Sequence, residues 1–335
     1  MTLTDLTPAL EDGTVTVRPL HEEPFLLEIE AREPGLDLPR WVAGRKEELR
    51  AGLDRCGALL LRGFDVPDPQ EFGRAARAFS PDLLGYLERA ATRTEVADKV
   101  FTSTELGEDQ WIPFHHEMSY SHNWPGLLYF FGDLPSPEGG ATPVASERRV
   151  FPLIPAEVRE RFTRHGVRYV RNYGPDLNES WQVAFQTTDR AEVEAYCRQS
   201  DTTFEWTGDD ELRTTAVRQA VARHPRTGET VWFNHAHLFH LSNVEPEVAE
   251  ILVEEYGEEG LPRNAYYGDG APIENEVAEL IRSLYREAAV SFTWRRGDVL
   301  VVDNHLATHA REPFRGDRRI LVAMSDLHTE LPAGR

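Results

Sequence analysis

The run Pro113-Phe114-His115-His116-Glu117-Met118-Ser119-Tyr120 sets an imidazole and a carboxylate two residues apart. The stretch is aromatic and apolar without helix-forming bias, so it reads as a β-strand. Successive strand side chains point to opposite faces. His115 and Glu117 would then share one face, and His116 and Met118 the other. One distant histidine would complete a two-histidine, one-carboxylate set, and the run Asp303-Asn304-His305-Leu306-Ala307-Thr308-His309 lies far downstream. Such a set suits Fe(II) and leaves positions open for co-substrates and O2. An H-x-E triplet alone more often marks a hydrogen-bonded surface pair, so the surroundings must decide.

Several elements would have to position these groups. Residues 1–40 are rich in proline and acid and read as an edge strand or arm. Trp41 to Leu53 reads as a helix. Gly57 to Phe64 is an apolar run bounded by glycine, which suits a buried strand. Asp68 is a natural N-cap for a helix reaching Phe79. After the H-x-E stretch, Gly126 to Phe131 is a second aromatic strand, followed by a turn at 135–140. Residues 155–164, 189–199, 246–258 and 273–287 read as helices, while Tyr169 to Thr187 reads as an irregular aromatic lid. Residues 221–234 form a hairpin pattern with glycine in the loop. Strands are expected at 299–302 and 319–324. Strands in two blocks with helices between favour a β-rich α+β fold: a jelly roll with flanking helices and an inserted lid. The expected organisation is one domain over 1–335, with insertions at about 155–220 and 241–290.

Composition narrows the function classes. The formal net charge of −21 disfavours nucleic-acid partners. No segment approaches 18 uninterrupted apolar residues, and the N-terminal stretch lacks a basic, then apolar, signal pattern. No membrane association is expected, and the cytoplasm is the default location. Cys56 and Cys197 lie in no C-x-x-C pair, which argues against zinc ribbons and disulfide frameworks.

The segment Trp294-Arg295-Arg296-Gly297-Asp298-Val299-Leu300-Val301-Val302-Asp303-Asn304, with Thr308-His309-Ala310-Arg311 and Arg318-Arg319-Ile320, resembles the C-terminal signature of the taurine dioxygenase and clavaminate synthase superfamily. His224-Pro225-Arg226-Thr227-Gly228, Phe233-Asn234 and Gly139-Gly140-Ala141-Thr142-Pro143 resemble it too. The order matches from about residue 57 to 325. The resemblance implies a double-stranded β-helix holding Fe(II) and 2-oxoglutarate, with His115, Glu117 and His309 as iron ligands. It places Arg319 on the far carboxylate of 2-oxoglutarate, where a planar guanidinium offers two donors, and gives that carboxylate a hydrogen bond from Thr142. Alternation pairs Arg319 with Leu321 and Ala323, or Arg318 with Ile320 and Val322, without saying which face is inner. Asn234, Asn304 and Arg311 are candidates to sit beside the ligands. His116 reads as structural, and His305 as a neighbour of the ligands or a surface group. His235, His237 and His240 could bind metal as cupin histidines do, although packing near the site explains them better.

One departure bears on substrate. Taurine-type members carry a second arginine four residues after the 2-oxoglutarate arginine, and here that position is Ala323. A sulfonate substrate held in that way is disfavoured. The chain is more similar to the clavaminate-synthase-like, amino-acid-hydroxylating branch. The implied activity is a dioxygenase that uses Fe(II), 2-oxoglutarate and O2 to hydroxylate a small amino-acid-like substrate, free or carrier-bound, in natural-product biosynthesis, releasing succinate and CO2. Rival readings are a zinc-type cupin or hydrolase using the same three ligands, and desaturation or cyclisation by the same oxidant.

Overall fold

The computed structural model describes residues 10–21, 25–85, 93–104, 106–175, 177 and 179–329. Its core is two antiparallel-rich sheets facing one another. The larger has eight strands in the spatial order Val15–Pro19, Leu26–Ala31, Ala58–Arg62, Val299–Asp303, Asn123–Leu134, Arg319–Thr329, Val100–Thr102, Glu95–Ala97. The smaller runs Ala289–Val290, Val144–Ser146, Ala307–Arg311, Ile112–His115. Val15–Pro19 and Leu26–Ala31 are therefore built into the large sheet as its edge and the next strand, not extended as an arm.

The large sheet is buried on both sides, so its strands read as near-continuous apolar runs. Leu59, Leu61, Tyr129, Phe131, Val301, Leu321 and Ala323 face the helices Leu38–Ala43, Lys46–Cys56 and Pro69–Phe79. Leu60, Leu128, Phe130, Leu300, Val302, Ile320 and Val322 face the small sheet. Each fully buried side chain of this size contributes about 1.5–3 kcal/mol. The helices start where sequence chemistry places them. Asp37 accepts from Arg40 N at 2.8 Å and Asp68 from Glu71 N at 2.9 Å, each with a proline in the first turn. Gly57 ends the second helix with φ +81°, and a Cβ there would meet Phe25 at 3.3 Å.

The stretch between the two cores departs from the sequence reading. Val167–Tyr173 is no irregular lid: it is an inner strand of a four-stranded sheet, ordered Thr202–Trp206, Leu212–Arg218, Val167–Tyr173, Arg263–Tyr267. Its residues alternate buried and half-buried, as one covered face requires. This added sheet packs with the helices Ala156–His165 and Asn275–Ala288 against the outer side of the small sheet. Cys56 and Cys197 are both buried and unbridged. Among the described residues, no helix is long and apolar enough to cross a membrane.

Candidate metal centre

His115 and His309 meet because their strands pair in register: each is the other's cross-strand neighbour. Directly opposed residues share a sheet face with Cβ atoms about 5 Å apart. The two rings lie 4.3 Å apart, centroid to centroid, and Phe130 from the large sheet packs on His309 at 4.9 Å. His115 Nδ1 donates to Pro113 O at 2.8 Å. That bond leaves the lone pair on Nε2, the tautomer a metal ligand needs.

Glu117 arrives differently from the expectation. The strand ends at His115, and residues 117–120 form a turn in which Met118 takes φ +59°. The pair is brought together by a strand end and a strained turn rather than by strand alternation. A non-glycine residue in the left-handed region costs about 1–2 kcal/mol and persists only when its surroundings enforce it. Asn304 supplies that enforcement. Its Oδ1 accepts from Glu117 N at 2.8 Å, and its Nδ2 donates to Glu117 O at 3.0 Å and Pro125 O at 2.9 Å. The Glu117 carboxylate faces Arg93, whose guanidinium donates to both oxygens at 3.2 Å.

The ligand atoms of His115, Glu117 and His309 all lie within 4.8 Å of one another, and all three residues are buried. His309 Nε2 stands 3.8 Å from a Glu117 oxygen, too far for a hydrogen bond. His309 Nδ1 is buried without a partner among the described residues. Burial holds His309 neutral by pushing its pKa well below the usual range; burial likewise lowers that of His115, against the opposing pull of Glu117. Two neutral imidazoles and one carboxylate around a gap are a donor set that suits a divalent cation.

A second group, His224, Asp303 and His305, is equally close-set, but its lone pairs are committed. His224 Nε2 donates to Asp303 Oδ2 at 2.9 Å, and His224 Nδ1 accepts from the backbone of Arg226 and Thr227. Asp303 Oδ1 accepts from the N–H groups of His305 and Leu306, and His305 Nε2 accepts from Trp124 Nε1 at 3.0 Å. This network fixes the turn that delivers His309, and it gives the His224-Pro225 and Asp303-Asn304 motifs a structural task. His116 is structural as well, bonded to Asn304 O at 2.6 Å and to Glu147 at 3.1 Å.

The arginine expectation fails on placement. Arg319 lies on the outward side of its strand, 57 % exposed and paired with Asp133. Arg318 shares the inner face with Ile320 and Val322, and lines a side pocket with Thr142, Phe130, His309 and Arg311. Among the described residues Arg318 has no carboxylate partner. It donates to Gly140 O at 3.0 Å and lies over the Phe314 ring. Burial, helped by Arg311, pushes its pKa down to about 10. Arg311 is already engaged: its terminal nitrogens donate to the carbonyls of Thr104, Leu106, Gly107 and Gln110. Thr142 is buried and accepts from Trp294 Nε1 at 3.0 Å. Asn234 is remote from the ligands in its bonding, joining Ala220 O and Ala236 N. Counting four residues on from Arg318 gives Val322, so no second guanidinium stands there either.

His115 and Glu117 open on a cavity of about 1130 Å³, walled by Tyr120, His235, Trp111, Leu238 and Arg263 among others. The sequence carried no motif for Arg93 or Arg263. His235 turns its ring toward His115 at 5.6 Å, with Nδ1 held by Ser119 Oγ at 2.6 Å. His237 and His240 are tied to Phe114 O and Ile273 O, and do not join the ligand set.

The chain belongs to the taurine catabolism dioxygenase TauD, TfdA family, whose model matches residues 16–324. It is an oxidoreductase of the iron- and 2-oxoglutarate-dependent dioxygenase class, with Fe(II), 2-oxoglutarate and O2 as cofactors. Among its relatives, the dapdiamide synthesis protein DdaC of Enterobacter agglomerans is 40 % identical over 274 residues, covering 82 % of this chain and 83 % of that one. A clavaminate synthase-like protein of Arabidopsis thaliana is 32 % identical over 305 residues, covering 87 % and 89 %. The fold is similar to that of PvcB, described as an Fe, alpha-ketoglutarate dependent oxygenase from an isonitrile synthetic pathway. There the TM-score is 0.53 at 20 % identity, over 94 % of this chain and 92 % of that one.

Proposed function

We propose that the chain hydroxylates an unactivated C–H bond of a small amino-acid-like substrate in natural-product biosynthesis, with release of succinate and CO2. The observation that carries this is the pairing of two features across one short space: a buried His115–Glu117–His309 set and, beside it, Arg318 without a carboxylate partner and Thr142. The relative DdaC is named for dapdiamide synthesis, which supports a biosynthetic role. The two facing sheets are read as a double-stranded β-helix. The chain is read as one cytoplasmic domain with segments 155–220 and 241–290 inserted.

Each residue has a task in this reading. His115 and His309 supply neutral nitrogens and Glu117 a carboxylate oxygen to Fe(II). Arg93 holds the Glu117 carboxylate from the cavity side, and Asn304 holds its backbone. Arg318, with Thr142 beside it, receives the far carboxylate of 2-oxoglutarate, and Arg311 braces the rim. Bound iron with 2-oxoglutarate supplies the activation of O2, and the enclosing wall of Phe130, Tyr120 and His235 keeps bulk water from the oxidant. A zinc hydrolase on the same ligands would have no use for a carboxylate-seeking Arg318. A screen of free amino acids with Fe(II), 2-oxoglutarate and O2, scored by succinate release and product mass, tests the proposal. A product heavier by one oxygen is expected. Zinc-supported turnover without 2-oxoglutarate consumption would refute it.

A further inference from the structure

The large cavity contains a cation that the iron and 2-oxoglutarate chemistry does not use. Arg263 opens the edge strand Arg263–Tyr267 of the added sheet and lines the same cavity as His115 and Glu117. Directly across the ladder from it stands Arg171. Like charges in opposed positions destabilise a sheet pair, so the arrangement calls for compensation. Arg171 has it: its guanidinium pairs with Glu179 at 3.1 Å and lies over the Tyr120 ring at 5.3 Å. Arg263 makes no ion pair and no side-chain hydrogen bond among the described residues. Its guanidinium rests over the Phe239 ring at 5.1 Å. Arg263 is thus left without an ion-pair partner among the described residues, and its side chain is exposed on the cavity side.

The position of that charge is suited to a substrate. Phe239 touches His235 at 5.4 Å, and His235 touches the ligand His115 at 5.6 Å. Tyr120 stacks on Phe239 and meets His235 edge-on at 5.0 Å. Packed rings therefore connect Arg263 to the ligand set, and of these Tyr120 and His235 line the cavity itself. The other cationic groups on this cavity are occupied: Arg93 by Glu117, Arg282 and Arg286 by Glu279.

We propose that Arg263 is the substrate-anchoring residue, and that it selects molecules whose carboxylate is free rather than amidated or esterified. This rests on the functional reading above. The carboxylate pairs with Arg263, the body of the substrate lies along Tyr120 and His235, and the carbon to be oxidised reaches the space beside His115 and Glu117. Arg263 determines specificity and orientation; it does not touch the reacting atoms.

The test uses the anaerobic enzyme loaded with Fe(II) and 2-oxoglutarate. The proteinogenic L-amino acids, their N-acetyl forms and the corresponding C-terminal amides are titrated in, and binding is read from the shift of the Fe(II)·2-oxoglutarate absorption band. Acids are expected to bind at least about fivefold tighter than their amides, since an ion pair to a partly exposed arginine is worth about 1 kcal/mol. Arg263→Met should abolish that preference and leave the 2-oxoglutarate titration of the enzyme unchanged. Arg263→Lys should restore part of it, because lysine keeps the charge but lacks the fork. Equal binding of acids and amides by the native enzyme would overturn the assignment. So would a preference that survives in Arg263→Met, or the binding of neither set. A native enzyme that shows no absorption band would refute the reading of the metal site itself, and with it this inference.

Discussion

Replacing Arg318 by leucine is the most direct test of the side pocket. The guanidinium is half-buried, donates to one backbone carbonyl, and has no carboxylate partner among the described residues. The far carboxylate of 2-oxoglutarate is its natural complement. Removing one partner of a fully buried pair costs about 3–5 kcal/mol. Partial exposure of Arg318 lowers this to about 2–4 kcal/mol, a loss of about 30- to 1000-fold in affinity. Arg318→Lys should recover only part, since it offers a point charge without two parallel donors. Arg319→Leu is the matched control. That side chain is 57 % exposed and pairs with Asp133 on the outer side, so 2-oxoglutarate affinity should stay within about twofold. The assay is anaerobic titration of 2-oxoglutarate into each Fe(II)-loaded variant, following the charge-transfer band of the chelate. If Arg319→Leu weakens binding as much as Arg318→Leu, the inner-face assignment of Arg318, Ile320 and Val322 is wrong.

Three further outcomes are expected. His309→Ala and Glu117→Ala should each lose tight Fe(II) binding and turnover, and full activity of either under limiting iron would contradict the ligand set. Asn304→Ala removes three buried hydrogen bonds and leaves the Glu117 backbone groups unpaired. Urea unfolding should then show about 2–4 kcal/mol less stability, together with weaker Fe(II) binding in an anaerobic titration. Burial depresses the pKa of both His237 and His305 to about 3, against an unfolded value of about 6.5. The unfolded chain therefore binds protons at these sites before the native one does. Their stabilisation is complete above about pH 6.5 and declines as the pH falls toward 3. Between about pH 7 and pH 5 each should contribute a loss of about 2 kcal/mol, and urea midpoints that stay flat over this range would refute the neutral, buried state of these rings.

The parts of the site legible in the sequence were those fixed by local chemistry. The H-x-E spacing, the family-like run ending at His309 and the Gly139-Gly140-Ala141-Thr142 turn each led to residues that the fold does bring together. The arginine was not legible, and the reason is physical. The strand Arg319–Thr329 lies in a sheet covered on both faces, so Leu321 and Ala323 are as apolar as Ile320 and Val322. Alternation then gives two sets and no sign of which is inner. The added sheet is a different case, because its signal was present. Val167, Tyr169 and Tyr173 recur at every second position apart from Arg171, yet the arginines and asparagine between them made the stretch read as a loop. Arg93 and Arg263 belong to no local pattern. Only the fold sets one against Glu117 and the other on the cavity wall.

The three proposed ligands are not held equally, and this bears on how such a centre would work. His115 and His309 sit in one ladder, each fixed by the backbone pairing of the other's strand. Glu117 lies beyond the strand end, and its place depends on Asn304 and on a turn that keeps Met118 at φ +59°. Strain of that kind is relieved as soon as the enforcing contacts are lost. The carboxylate is thus the ligand most open to displacement, and Arg93 is the group that would hold it in place. Loss of Asn304 should accordingly disturb the carboxylate while leaving the two imidazoles in register, which predicts weakened rather than abolished iron binding in Asn304→Ala, in contrast to His309→Ala. Equal loss in the two variants would show that the ladder does not fix the histidines independently of the turn.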